Sequence, residues 1–434
     1  MQISYQKSKT SKLLNWFFVS NKTDIFKKSQ AIKVLSKFNN EKLSVVFLGL
    51  SLACLWYRVL FDQLGLGWID GYRLWAVFLA LALLFCNKQR LLSTRPVVYL
   101  ILFLLSLLLS SLWSAISGLE LGMLFFGILS LSLFPLAFII TSTYKNKNYF
   151  INLLLILSLP LLVVGCYQGA FGAETSGLWI STTEDLIKTR AYSLFDSPNA
   201  LGVLSMITSI ISLFIFFEKK KWYYVAYLVF ALTALALTFS RSSWLGLCIG
   251  IIFVVLIKNW RLIFLMPLSA LVFLVPSVRQ RLITAVSQNY LVDASLDGRL
   301  WSYSNSIDLF KTSPIVGVGP GTYGGQMAIY YDSPIYLKGA QNGYVALYYS
   351  DTQWFQILAQ CGIVGIIFVG CFFISYFVNN LKQYLKSKQY INLGVLAVAV
   401  SLVVSGFFEN IWSFGVIAIL AGAYLGLGNN YESR

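Results

Sequence analysis

The chain alternates long, unbroken apolar runs with short polar punctuation, a pattern that predicts helices. Apolar residues dominate stretches at 43–61, 71–87, 97–116, 121–143, 149–168, 199–217, 222–239, 242–257, 261–276, 353–378, 391–408 and 411–428. Each approaches the roughly 20 residues that carry a helix across a bilayer. The runs are continuous and do not alternate, so a barrel of amphipathic strands does not fit. The expected fold is an all-α polytopic membrane protein with about 12 transmembrane helices.

The punctuation is uneven. Most connections are short, but the polar interval from Val278 to Asp351 spans roughly 70 residues, far more than a connection needs. It divides the chain into a basic tail (1–42), nine spans with a secondary loop at 169–198 (43–276), a large loop (277–352), and three spans with a short tail (353–434). Within the large loop, Asp297 can cap a helix that opens on Arg299 and stops before Pro314, where the ring forbids continuation. The loop is therefore expected to contain amphipathic helices. An Arg in a first helical turn adds full charge to the free N–H groups there, which suits an anion such as phosphate; Arg299 solvated beside Asp297 is the alternative.

Composition sharpens this picture. Hydrophobic residues make up 58% and charged ones 12%, outside the usual range for soluble domains. The net charge of +16 is concentrated in alternate connections: Lys88, Arg90 and Arg95; Lys145 and Lys147; Lys219, Lys220 and Lys221; Lys382, Lys386 and Lys388. The positive-inside rule places these connections and both termini in the cytoplasm and the large loop outside the cytoplasmic membrane. Topology thus accounts for the basic character, and no nucleic-acid partner is implied. The tail 1–42 lacks a signal-peptide core and suits a surface helix on anionic lipid, with the phospholipid bilayer as partner.

That orientation constrains the chemistry. ATP and nucleotide sugars are not available outside, so a reaction there needs a substrate already activated by a membrane-borne leaving group. Lipid-linked pyrophosphate sugars meet that requirement. Histidine is absent, which removes the usual general base and the commonest metal ligand. The six cysteines fall in apolar runs and suggest neither disulfides nor a Cys-based site. No metal and no cofactor are expected.

Candidate groups lie at the outer ends of spans. Arg241 sits in the tight turn Thr238-Phe239-Ser240-Arg241-Ser242-Ser243-Trp244, either snorkelling to the interface or meeting an anionic partner. Lys188 and Arg190 precede Pro198-Asn199, where the next span begins, as a solvated pair or as further basic groups near the bilayer entrance. Asp351 ends the large loop and can cap the following helix or accept a proton from a sugar hydroxyl. Tyr331, Lys338 and Tyr344 make the second half of the loop partly aromatic, suited to stacking on sugar rings or to the membrane interface.

Together these stretches resemble the O-antigen ligase and polymerase superfamily of bacterial envelope glycan assembly. The resemblance rests on Arg190 with Asp196-Ser197-Pro198-Asn199-Ala200-Leu201-Gly202, on Ser240-Arg241-Ser242-Ser243-Trp244-Leu245-Gly246, and on Gly298-Arg299 with Tyr303. It continues through Ser313-Pro314-Ile315-Val316-Gly317-Val318-Gly319-Pro320-Gly321 and Leu358, Gln360, Gly362 and Gly365. It implies a metal-independent, inverting glycosyltransferase in the bacterial inner membrane. Arg190, Arg241 and Arg299, with Lys188 beside them, would grip the pyrophosphate of an undecaprenyl-linked oligosaccharide, and Arg299 and Asp351 would act in catalysis. The ligase branch commonly carries a His-Asn pair where this chain has Asp351-Thr352. The departure points to polymerisation of repeat units into O-antigen, capsule or exopolysaccharide, in company with a chain-length regulator and a flippase. Ligase-type transfer to another acceptor stays open. A transporter or lipid flippase fits less well, because charge sits at span ends and not at mid-bilayer.

Overall fold

The computed structural model describes residues 39–57, 71–87, 94–144, 147–173, 189–195, 197–259, 276, 279–280, 283, 299–333, 350 and 352–429. The expected span at 261–276 therefore lies almost wholly outside the described residues. In chain order the helices are α1 (Glu41–Trp56), α2 (Gly71–Phe85), α3 (Arg95–Ile116), α4 (Leu121–Ser142), α5 (Lys147–Phe171), α6 (Pro198–Lys219) and α7 (Trp222–Thr238). They continue with α8 (Arg241–Asn259), α9 (Arg299–Thr312), α10 (Gln326–Tyr330), α11 (Gln353–Ser387), α12 (Tyr390–Ser405) and, after a 3-10 turn at Ile411–Ser413, α13 (Gly415–Gly428).

The protein is a polytopic α-helical membrane protein. Among the described residues, six helices are long and apolar enough to cross a bilayer: α3, α4, α5, α6, α8 and α11. Four further apolar helices are shorter; at 1.5 Å per residue the 14 residues of α13 cover about 21 Å of a core roughly 30 Å thick. Six full-length spans, and not twelve equal ones, are what the described residues contain.

Hydrocarbon offers no hydrophobic drive between helices, so close backbone approach and polar contacts must hold them together. Gly422 and Gly426 of α13 let it lie on α4 at the carbonyls of Phe134 and Phe138, where a side chain would collide. Gly246 and Gly250 of α8 do the same against Ser405, Ser401 and Ala397 of α12. The most enclosed span is α6, with 83% of its apolar window buried. Ser197 caps its start by accepting from the Asn199 N–H at 3.2 Å, and Pro198 fills its first turn.

The longest helix, α11, is broken. Gly362 has φ 63° and ψ −165°, a region open in practice only to glycine. A break inside a membrane bundle leaves backbone groups that would each cost several kcal/mol unpaired. The segment 313–319 pairs with them: Val318 N–H donates to Ala359 O at 2.9 Å, Gly319 N–H to Gln360 O at 3.1 Å, and Ile363 N–H to Pro314 O at 2.9 Å. Ser110 of α3 adds a bond to Gln360 O at 2.7 Å. The glycine-rich turn of the sequence is thus a plug that completes the broken helix.

Candidate functional site

The three arginines singled out by the sequence lie on elements tied together at one end of the bundle. Arg190 is 5% exposed. Its Nε donates to Thr238 O at 2.8 Å, and its Nη2 donates to Asn199 Oδ1 at 3.1 Å. A cation on the terminal carbonyls of α7 complements the helix dipole. The backbone follows, with Ala191 N–H donating to Leu237 O at 2.9 Å. Gln168 of α5 clamps the turn after Arg190: its Oε1 accepts from the N–H groups of Tyr192 and Ser193 at 3.0 and 2.5 Å, and its Nε2 donates to Ser193 O at 2.9 Å. Nothing in the periodicity of the sequence marked Gln168.

Arg241 opens α8 immediately after Phe239, whose φ of 50° ends α7 in the left-handed region, and Ser240. The hydroxyl of Ser240 lies 3.2 Å from those of Ser242 and Ser243. Gly202 of α6 packs so near that a side chain there would meet Ser240 and Ser243 at 2.8 Å. Small residues on both sides therefore let the start of α6, which carries Asn199, approach the turn that carries Arg241.

The turn 405–410 joins this pair to Arg299. On one side Ser405 Oγ donates to Ser242 O at 3.1 Å. On the other, Tyr303 Oη donates to Phe407 O at 2.5 Å, one helical turn after Arg299, which opens α9. Tyr303 also stacks on Phe355 of α11, with ring centres 4.9 Å apart. The same turn places Glu409 and Asn410 inside the protein, 4% and 3% exposed. The helix expected before Pro314 is α9, ending at Thr312. It is not amphipathic as expected: Ser302 and Ser306 are its buried residues, while Leu300 and Ile307 are exposed.

Beneath α9 lies a buried polar cluster that the sequence reading did not assign to the site. Gln353, Gln356 and Gln360 share one face of α11. Gln356 Nε2 donates to Tyr323 O at 3.0 Å, and Gln360 Nε2 donates to the same carbonyl. Asn410 Nδ2 donates to Gln356 Oε1 and to Gly324 O; Gln353 Oε1 accepts from Trp412 N–H at 2.6 Å. The Tyr323 hydroxyl donates to Ser302 O at 3.0 Å and lies among Ser302 and Ser306 hydroxyls. Burial raises its pKa, and the hydroxyl partners offset only part of that rise, which leaves a neutral phenol acting as a donor. Spacing of three and four residues from Gln353 to Gln360 was the available signal. It is ambiguous, because polar side chains so spaced also describe a solvated helix face.

Tyr331 stands elsewhere on the loop. It packs over Gly122 at the start of α4 and stacks on Phe126, with ring centres 6.4 Å apart. Lys188, Lys338, Tyr344 and Asp351 lie outside the described residues. Among the described residues no three His, Cys, Asp or Glu side chains gather as metal ligands would. Residues 226–370 match the family model described as O-Antigen ligase, a match that runs from within α7, through Arg241, α9 and the plug, past the break at Gly362 to the middle of α11. No curated protein matches the chain.

Proposed function

Since the 226–370 segment places this chain in the O-antigen ligase and polymerase superfamily, we propose that it polymerises undecaprenyl-pyrophosphate-linked oligosaccharide repeats on the outer face of the bacterial inner membrane. Both termini are then cytoplasmic, and the twelve apolar runs supply the full set of spans. The observation that carries the reading is the linkage just described: Arg190 bonded to the end of α7 at Thr238, and the helix starts that carry Arg241 and Arg299 both held to the 405–410 turn through Ser405 and Phe407.

In this reading Arg190, Arg241 and Arg299, together with Lys188, grip the donor diphosphate while its polyprenyl tail stays in lipid. The acceptor sugar hydroxyl attacks the anomeric carbon, its proton passes to the Asp351 carboxylate, and the bond to the pyrophosphate oxygen breaks. The electron pair leaves with the lipid diphosphate, whose charge the guanidinium groups stabilise without a metal. Attack opposite the leaving group inverts the anomeric centre. Tyr331, Lys338 and Tyr344 belong to the glycan path, and a chain-length regulator and a flippase serve the same polymer.

The description of the matched family favours a second reading, ligation of a finished lipid-linked glycan onto another acceptor. Deleting the gene in its host separates the two. Surface glycan arrested at one repeat unit supports polymerisation, whereas full-length polymer retained on its lipid carrier assigns the chain as a ligase.

A further inference from the structure

At the end of the bundle away from the arginines, Lys219 and Lys220 close α6 and Lys221 leads into α7. All three are exposed. Beside them a groove of about 620 Å³ runs along α7, walled by Phe216, Trp222, Val225, Val229 and Phe230 with Lys220 at its rim. These α7 residues form one stripe, opposite the buried face of Tyr224, Ala231, Ala234 and Leu235. Trp222 and Val229 are 78% and 56% exposed.

Two local features orient the charge. The Lys220 ammonium lies 5.7 Å from the centre of the Phe216 ring and 5.4 Å from that of Phe217, which draws it over the groove wall. Glu218, the acid nearest in sequence, is engaged at the start of α12, where its Oε2 accepts from Tyr390 N–H at 2.7 Å. In a membrane the wall itself is covered by hydrocarbon, and an exposed Trp at such a rim sits at head-group depth.

We propose that this groove is a binding site for an anionic phospholipid, with one acyl chain along α7 and the phosphate against the ammonium groups of Lys219, Lys220 and Lys221. The charge complementarity selects an anionic head group over a zwitterionic one. Each lysine at an anionic surface contributes about a fivefold preference.

The test uses the full chain in phosphatidylcholine vesicles doped with phosphatidylglycerol or phosphatidylcholine carrying brominated acyl chains. The Trp222 contribution to fluorescence quenching is the difference between the protein and its Trp222→Phe variant. Brominated phosphatidylglycerol is expected to quench Trp222 at about fivefold lower mole fraction or better. The preference should vanish when Lys219→Gln, Lys220→Asn and Lys221→Gln are combined; Asn is used at Lys220 because its φ is 55°. Ala226→Leu, which narrows the groove without altering charge, should weaken the anionic lipid too. Equal quenching by both lipids, a preference that survives the triple variant, or indifference to Ala226→Leu overturns the proposal. So does crosslinking of Val229→Cys between copies with no quenching, which assigns the groove to a second copy.

Discussion

The two ends of the α6 and α7 pair treat positive charge differently. At one end Arg190 is 5% exposed and fixed by bonds to Thr238 O and Asn199 Oδ1. At the other, Lys219, Lys220 and Lys221 are exposed, and Lys220 rests over aromatic rings on a flexible stem. A planar guanidinium with directed donors can define a geometry, whereas an ammonium supplies a mobile point charge. Charge placed by hydrogen bonds at helix ends is suited to recognise a particular anion. Charge displayed in water serves orientation and surface attraction, and its members are interchangeable.

The sharpest way to break this contrast is to remove the arginines. Arg241→Ala and Arg299→Ala are each expected to stop polymer growth, a loss of about 10²-fold or more in rate if they stabilise the leaving diphosphate. Membrane insertion should be retained. Glycan length on gels, with the protein quantified in membranes, reads the outcome; near-normal polymer in both variants removes the distinction between the two ends. Arg241→Lys should recover little, since one ammonium does not reproduce a forked donor.

Asp351→Asn should lower turnover by about 10²-fold while donor binding changes less, and an unaltered rate would remove Asp351 from the chemistry; the cap position of α11 is Thr352 and not Asp351 as the sequence suggested. Gly362→Ala tests the frame that holds α9. It asks alanine to adopt φ 63° and ψ −165° with its Cβ against Ile315 O, a strain of about 1–3 kcal/mol, measured by thermal unfolding in detergent. The smallest effect belongs to the lysine end. Lys258→Gln breaks a 3.1 Å contact between exposed Lys258 and Tyr390, and should shift stability by less than about 0.5 kcal/mol and leave polymer length unchanged.

Much of the helical plan was legible because uninterrupted apolar runs have few other solutions in a membrane. The run at 97–116 became Arg95–Ile116, and the run at 199–217 became Pro198–Lys219. Pro314 marked the end of α9 through a local steric rule. What composition alone missed depends on partners distant in the chain. The run 353–378 looked continuous, yet α11 breaks at Gly362 because residues 313–319 supply the missing hydrogen bonds. The turn 405–414 was absorbed into two spans because Phe407, Phe408, Ile411, Trp412 and Phe414 are apolar, although the backbone there leaves the helix.

For the site, helix-end arginines were visible because charge beside apolar runs demands a reason. Gln168, Gln356 and Asn410 were not. Neutral amides carry no such penalty at a span end, and their partners are backbone groups fixed only by the folded chain.

The plug that completes α11 also constrains protein engineering. A chimera that exchanges the long loop before α11 cannot have its borders cut freely. Here residues 313–319 and 359–364 form a lock and its key, joined by main-chain bonds. A graft that carries one without a matching other would leave a gap in the bundle wall and be degraded before its specificity could be assayed.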